Sequence, residues 1–194
     1  MGARMSWLVA DADQIERIAE IIGYRRHVED ASPPKSPCKF GVTTPSGKVF
    51  LFEECGWEWD FISPGIQSAI SAETTVYFMM NDTTMMMSSA EQWRDGAKVW
   101  GVYHQSDEGV YHLPTEGDLP ASFKSIRARR FAEQKELEDQ EAQVDAAIKI
   151  PLDLAAAFTG YDGGMNEPEG DDFVLIRKPR IGFLRRIFGR NKTS

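Results

Sequence analysis

Between residues 74 and 113 the chain places one short apolar segment after another, with only a few polar residues between them. Segments 74–80 and 85–93 flank the loop 81–84; Arg94-Asp95-Gly96 turns into 97–105, and residues 106–109 turn into 110–113. Parallel neighbours would need crossovers of a dozen residues or more, so connections this short predict an antiparallel meander. Earlier in the chain, 40–44 and 48–53 flank Pro45-Ser46-Gly47, the pattern of a hairpin. Residues 6–10 form an apolar run suited to an opening strand, and 173–177 to a last one.

Helical periodicity is clearest just after the opening run. Ile15, Ile18, Ala19 and Ile22 recur at i, i+3, i+4 and i+7, with Glu16, Arg17 and Glu20 facing water. Asp11 stands at the start and Gly23 at the end, the residue types that begin and close helices. Ser63-Pro64 opens a short helix to about residue 70, and Pro151 another that Gly160 closes. Residues 121–143 are rich in strong helix formers and poor in large apolar side chains, which predicts a long, exposed helix. Residues 144–150 alternate apolar and polar and are read as a strand. ASPPKSPC (31–38) reads as an exposed loop. The expected class is α+β, a mainly antiparallel sheet of short strands with helices, over residues 1–176 as one domain. Residues 177–194 are expected to be a basic, disordered tail, although Ile181, Leu184 and Phe188 fall on one stripe of a minimal basic amphipathic helix.

Charge narrows the function classes. The chain carries 22 Lys plus Arg and 30 Asp plus Glu in 194 residues, a net of −8. Seven of the 22 bases and none of the acids lie in residues 173–194, which leaves 15 bases against all 30 acids in residues 1–172. An acidic body repels phosphate backbones, which argues against a nucleic-acid partner and suits a basic protein. Two cysteines, Cys38 and Cys55, make no disulfide framework and no zinc spacing, so a cytoplasmic location with reduced thiols is expected. No apolar run approaches the roughly 18–20 residues of a membrane-spanning helix, so no stable membrane association is expected.

Candidate chemistry is sparse. In segment 57–61, Trp57, Trp59 and Phe61 alternate with Glu58 and Asp60, giving one aromatic and one acidic face. Aromatic side chains supply anchor area and acids steer an encounter, so Trp57, Glu58, Trp59 and Asp60, with Asp107 and Glu108 as a rim, are the candidate partner-binding residues. His104 and His112 flank the 106–109 turn. With a two-residue loop they point to opposite faces, and a one-residue slip brings them together as metal ligands with Asp107 or Glu108. Across the 81–84 loop Met80 would oppose Met85, with Met87 on the same face; such a trio suits Cu(I), though thioethers more often fill cores. No nucleophile motif or phosphate-binding loop is present, and neither a catalytic residue nor a cofactor is assigned.

WRDGAKVWGVYHQSDEGVYHLPTEGDLPASFKSIR (93–127) and VDAAIKIPLDLAAAFTGYD (144–162) combine a tryptophan hairpin with an Asp-Gly turn, a G-x-L-P step into a helix and a P-L-x-L-A helix ending at Gly-Tyr. This arrangement resembles small bacterial proteins similar to toxin-neutralising immunity proteins. The resemblance spans about a third of the chain, implies no catalytic residue, and implies a binder that occludes a partner's site. Two other classes remain open: a small metal-dependent hydrolase using the histidines of the 97–113 hairpin, and a scaffold subunit assembling through an exposed sheet edge. The oligomeric state is left open.

Overall fold

The computed structural model describes residues 4–27, 38–54, 61, 63–164 and 168–178. The protein is α+β, and the described residues place nine strands in one sheet whose pairings among them are antiparallel. In chain order the strands are β1 (Arg4–Asp11), β2 (Tyr24–Arg26), β3 (Cys38–Thr43), β4 (Lys48–Glu54), β5 (Val76–Asp82), β6 (Met87–Arg94), β7 (Ala97–Gln105), β8 (Thr115–Gly117) and β9 (Asp171–Arg177). The helices are α1 (Ile15–Ile22), α2 (Pro64–Ser71), α3 (Ser122–Asp139) and α4 (Lys149–Thr159). Across the sheet the order is β2-β9-β3-β4-β1-β5-β6-β7-β8.

The opening strand lies at the centre of the sheet. β1 pairs with β4 on one side and β5 on the other, and neighbouring residues Trp7 and Leu8, which face opposite sides, are both fully buried. Burial on both faces explains why the segment reads as a continuous apolar run rather than an alternation. Trp7, Val9, Phe50, Met79, Trp100 and Val102 pack on one side against α3 and α4. On the other side Leu8, Leu51, Phe78, Trp93 and Leu175 pack against α1 and α2.

Local signals fix several elements. All four residues of the α1 stripe are buried, and Gly23 closes the helix at φ +78°. Arg17, expected in water, donates instead to the carbonyls of Ile70 and Ala69 at 2.8 and 2.9 Å, tying α1 to the end of α2. Asp95 and Gly96 both take positive φ, +53° and +73°, as a tight two-residue hairpin between β6 and β7 requires. Ser68 Oγ donates to the Gly96 carbonyl at 2.7 Å and docks α2 on that turn. Twice a glycine makes room for an aromatic ring. A Cβ on Gly41 would stand 2.2 Å from Phe173 Cζ on β9, and one on Gly101 2.6 Å from the Tyr103 hydroxyl.

Several expectations need correction or placing. Residues 144–150 are no strand: Asp145 Oδ1 accepts the Ala147 and Ile148 backbone N–H groups at 2.9 and 3.2 Å, which folds the segment into the turn that starts α4. Burial does not follow the alternation either, since residues 145–148 are all buried in that turn while Val144 is exposed. Residues 110–113 are also no strand; the sheet resumes at β8, which pairs with Trp100, Gly101 and Val102. Asn81 and Asp82 extend β5, so Met80 faces Ser89 and Asp82 faces Met87, while Met85 and Met86 lie exposed in the turn. The methionine trio is therefore not assembled, because the hairpin closes two residues later than the loop chemistry suggested. Finally, residues 57–60, 31–37 and the basic segment 179–194 lie outside the described residues, and Phe61 is buried in a 3-10 turn rather than a strand. Arg177, read both as the end of the last strand and as the first residue of the tail, is the last residue of β9. Among the described residues no helix is long and apolar enough to cross a membrane.

Candidate functional site

Asp107 and Glu108 sit where expected, exposed in a short 3-10 turn (Ser106–Glu108) at the end of β7. The turn is held from several sides. Ser106 N–H donates to the Met86 carbonyl at 3.0 Å, Gly109 N–H to the Ser106 carbonyl at 3.1 Å, and His112 N–H to the Gly109 carbonyl at 2.8 Å. Gly109 takes φ +121°, a conformation that side chains rarely adopt. Glu108 pairs with His112 Nδ1 at 2.8 Å, both groups being about half exposed.

Folding brings a second set of residues to this turn. Tyr111 donates its hydroxyl to Glu138 Oε2 near the end of α3 at 2.9 Å. Its ring meets Phe131 edge-on with centroids 5.1 Å apart, yet the residue stays 47% exposed. Partial desolvation pushes the Tyr111 phenol above its usual range, reinforced by the Glu138 hydrogen bond and the charges of Glu138 and Asp139. Val144, also exposed, adds apolar area just before Asp145. Tyr111, Glu138, Asp139 and Val144 were not singled out from the sequence. The only hint is an acid-rich end to an exposed helix, and nothing local says that residue 111 meets residue 138.

His104 supplies the foundation. Its ring is fully buried; Nε2 lies 2.7 Å from Asp145 Oδ2 and Nδ1 3.0 Å from the His112 carbonyl. The imidazole is thus held from both of its nitrogens. Asp145 also accepts the Ser106 hydroxyl. Burial would raise the Asp145 carboxyl, but the Ser106 hydroxyl, His104 and the Ile148 N–H outweigh it and hold the group below the usual carboxylate range. Serine, histidine and aspartate thus meet with the carboxylate in the middle. The hydroxyl bonds the carboxylate rather than the imidazole, so the geometry gives no base-activated nucleophile. It ties the end of β7 and the 106–108 turn to the approach to α4. Nor do the two histidines converge: His104 takes the backbone of His112 while the His112 ring turns to Glu108. Among the described residues no group of three His, Cys, Asp or Glu side chains is placed to hold a metal ion.

On the opposite sheet face a second buried acid, Glu91, accepts from Trp93 Nε1 at 2.6 Å, Gln67 Nε2 at 3.2 Å and the Tyr103 hydroxyl at 2.6 Å, with Lys98 Nζ 3.4 Å away. Burial pushes the Tyr103 phenol up, as does its bond to Glu91. Burial alone would lower the Lys98 ammonium, but Tyr103, Glu116 and Glu91 raise it beyond its ordinary value. Another buried pair, Lys39 Nζ and Glu53 Oε1 at 2.5 Å, joins β3 to β4. These satisfied pairs make specific packing rather than open reactive groups.

Comparison of the chain with protein families, with curated proteins and with solved structures finds no match in any of the three.

Proposed function

We propose that this chain is a non-enzymatic, cytoplasmic protein-binding module of the immunity type, which covers a basic site on its partner through an acidic surface carrying an aromatic anchor. The observation that supports this reading most directly is Tyr111, half exposed and fixed to Glu138 beside the Asp107–Glu108 turn. An anchored aromatic loses little side-chain freedom on docking, and the acids around it accelerate encounter with a cationic surface. The frame beneath is rigid, since His104, Ser106 and Asp145 join the turn to the start of α4. Preorganised surfaces of this kind lose less conformational entropy on binding. Trp57, Glu58, Trp59 and Asp60 remain candidates for the same work on the sequence argument alone.

The test is a binding measurement with the purified product of the neighbouring reading frame. Calorimetry should show a complex that Asp107→Lys combined with Glu138→Lys weakens by at least about tenfold, because like charges then face each other. Unchanged affinity in that variant would refute the assignment of this surface.

A further inference from the structure

On the sheet face covered by α1 and α2, the far ends of β5, β6 and β7 border a cavity of about 510 Å³, lined in part by Met80, Met87, Ser89, Glu91, Tyr103 and Glu108. Side-chain size and direction create it. Met80, Ser89 and Tyr103 form one row across the three strands. Ser89 is small, and Tyr103 lies back along β7 over Gly101 to reach Glu91 and Lys98. Space is therefore left above Ser89, with Met80 and Met87 among the side chains that line it.

We infer that this cavity is a seat for an arginine side chain presented by a basic protein partner, a conclusion that rests on the binding reading above. Thioether walls adapt to the shape of an inserted chain, and Tyr103 adds an aromatic surface. Two carboxylates belong to the lining: Glu91, whose oxygens already accept Trp93, Gln67 and Tyr103 and which therefore contributes negative charge rather than a vacant acceptor, and Glu108 at the exposed turn. Lys98 offsets only part of the charge of Glu91 and Glu116, so the surroundings stay negative. A methylene stem against thioethers with a cation near a carboxylate matches that layout. Arginine fits it better than lysine, because its guanidinium is weakly hydrated and stacks on aromatic faces. Glu108 belongs both to the rim and to the cavity lining, which makes insertion continuous with the docking surface.

The experiment uses the full chain with ¹³C-methyl methionine and a short alternating alanine–arginine peptide, compared with its lysine and citrulline counterparts. Saturable shifts of the Met80 and Met87 signals are expected with arginine, with the neutral citrulline peptide at least about tenfold weaker. Glu108→Gln should weaken binding by about threefold or more, and Ser89→Leu should fill the space and abolish the shifts. The citrulline comparison needs no variant, so a misfolded Ser89→Leu would not spare the inference. Shifts confined to the exposed Met85 and Met86, or equal for arginine and citrulline, would overturn it. A cognate protein that binds and perturbs Tyr111 while Met80 and Met87 stay unmoved would overturn the insertion and leave surface docking standing. Arginine entering the cavity while Asp107→Lys with Glu138→Lys leaves the protein complex intact would support the seat and refute the surface.

Discussion

Asp145 holds His104 Nε2 at 2.7 Å in a buried contact, and so binds the end of β7 to the segment that becomes α4. The same carboxylate accepts two backbone N–H groups and the Ser106 hydroxyl. Asp145→Asn keeps the shape and removes the carboxylate charge that faces the buried imidazole and accepts the Ser106 hydroxyl. Breaking a buried pair on one side typically costs about 3–5 kcal/mol, and a loss in that range is expected in urea unfolding at neutral pH. A loss below about 1 kcal/mol would show that the contact is not a structural joint.

Acid should expose the same joint. The Asp145 carboxyl lies below its usual range in the folded chain. So does Asp153, where burial opposes the shift and Arg130 and Arg129 prevail. A carboxyl lowered by folding stabilises the protein above its unfolded pKa, and that contribution disappears as pH falls through the folded value. The denaturant midpoint of the wild type should therefore drop between about pH 5 and pH 2. The drop should be shallower in the Asp145→Asn, Asp153→Asn double variant. Parallel pH profiles would contradict the assignment of acid sensitivity to these two groups.

Gly41 and Phe173 face each other across β3 and β9, and a Cβ at residue 41 would fall 2.2 Å from the ring. Gly41→Ala must displace Phe173, at a cost of about 1–3 kcal/mol. In a Phe173→Leu background the same substitution should cost clearly less, so a double-mutant cycle should return a coupling above about 0.5 kcal/mol. Additive effects would mean that the ring does not depend on the missing side chain.

The sequence revealed elements whose cause is local and missed those whose cause is distant. α1 was legible because its stripe, Ile15, Ile18, Ala19 and Ile22, is all that its burial requires. The Asp95-Gly96 hairpin was legible because positive φ selects the residues directly. By contrast, nothing within residues 173–177 says that β9 inserts between β2 and β3, and nothing near Tyr111 names Glu138. Residues 144–150 misled because one side chain, Asp145, capped the backbone locally and overrode an alternation that sheet burial would also produce. Of the candidate site, the Asp107–Glu108 turn was readable from its composition, and its aromatic neighbour was not, since 27 residues separate Tyr111 from its partner.

Tyr111 offers a direct optical check of the acidic setting. Partial desolvation, then Glu138 and Asp139, disfavour its phenolate, so it should stay protonated to higher pH than an ordinary tyrosine. The difference between ultraviolet titrations of wild type and Tyr111→Phe isolates its ionisation. Ionisation at or below the ordinary tyrosine value would contradict the Glu138 contact.

The central claim, that an acidic face steers a basic partner onto this chain, is tested most directly by the association rate as a function of salt. Stopped-flow mixing of the chain with its partner should show the rate falling by about tenfold or more between roughly 50 mM and 500 mM salt. The dependence should flatten in Asp107→Asn combined with Glu108→Gln and Glu138→Gln. A rate indifferent to salt in the unaltered chain would contradict the account.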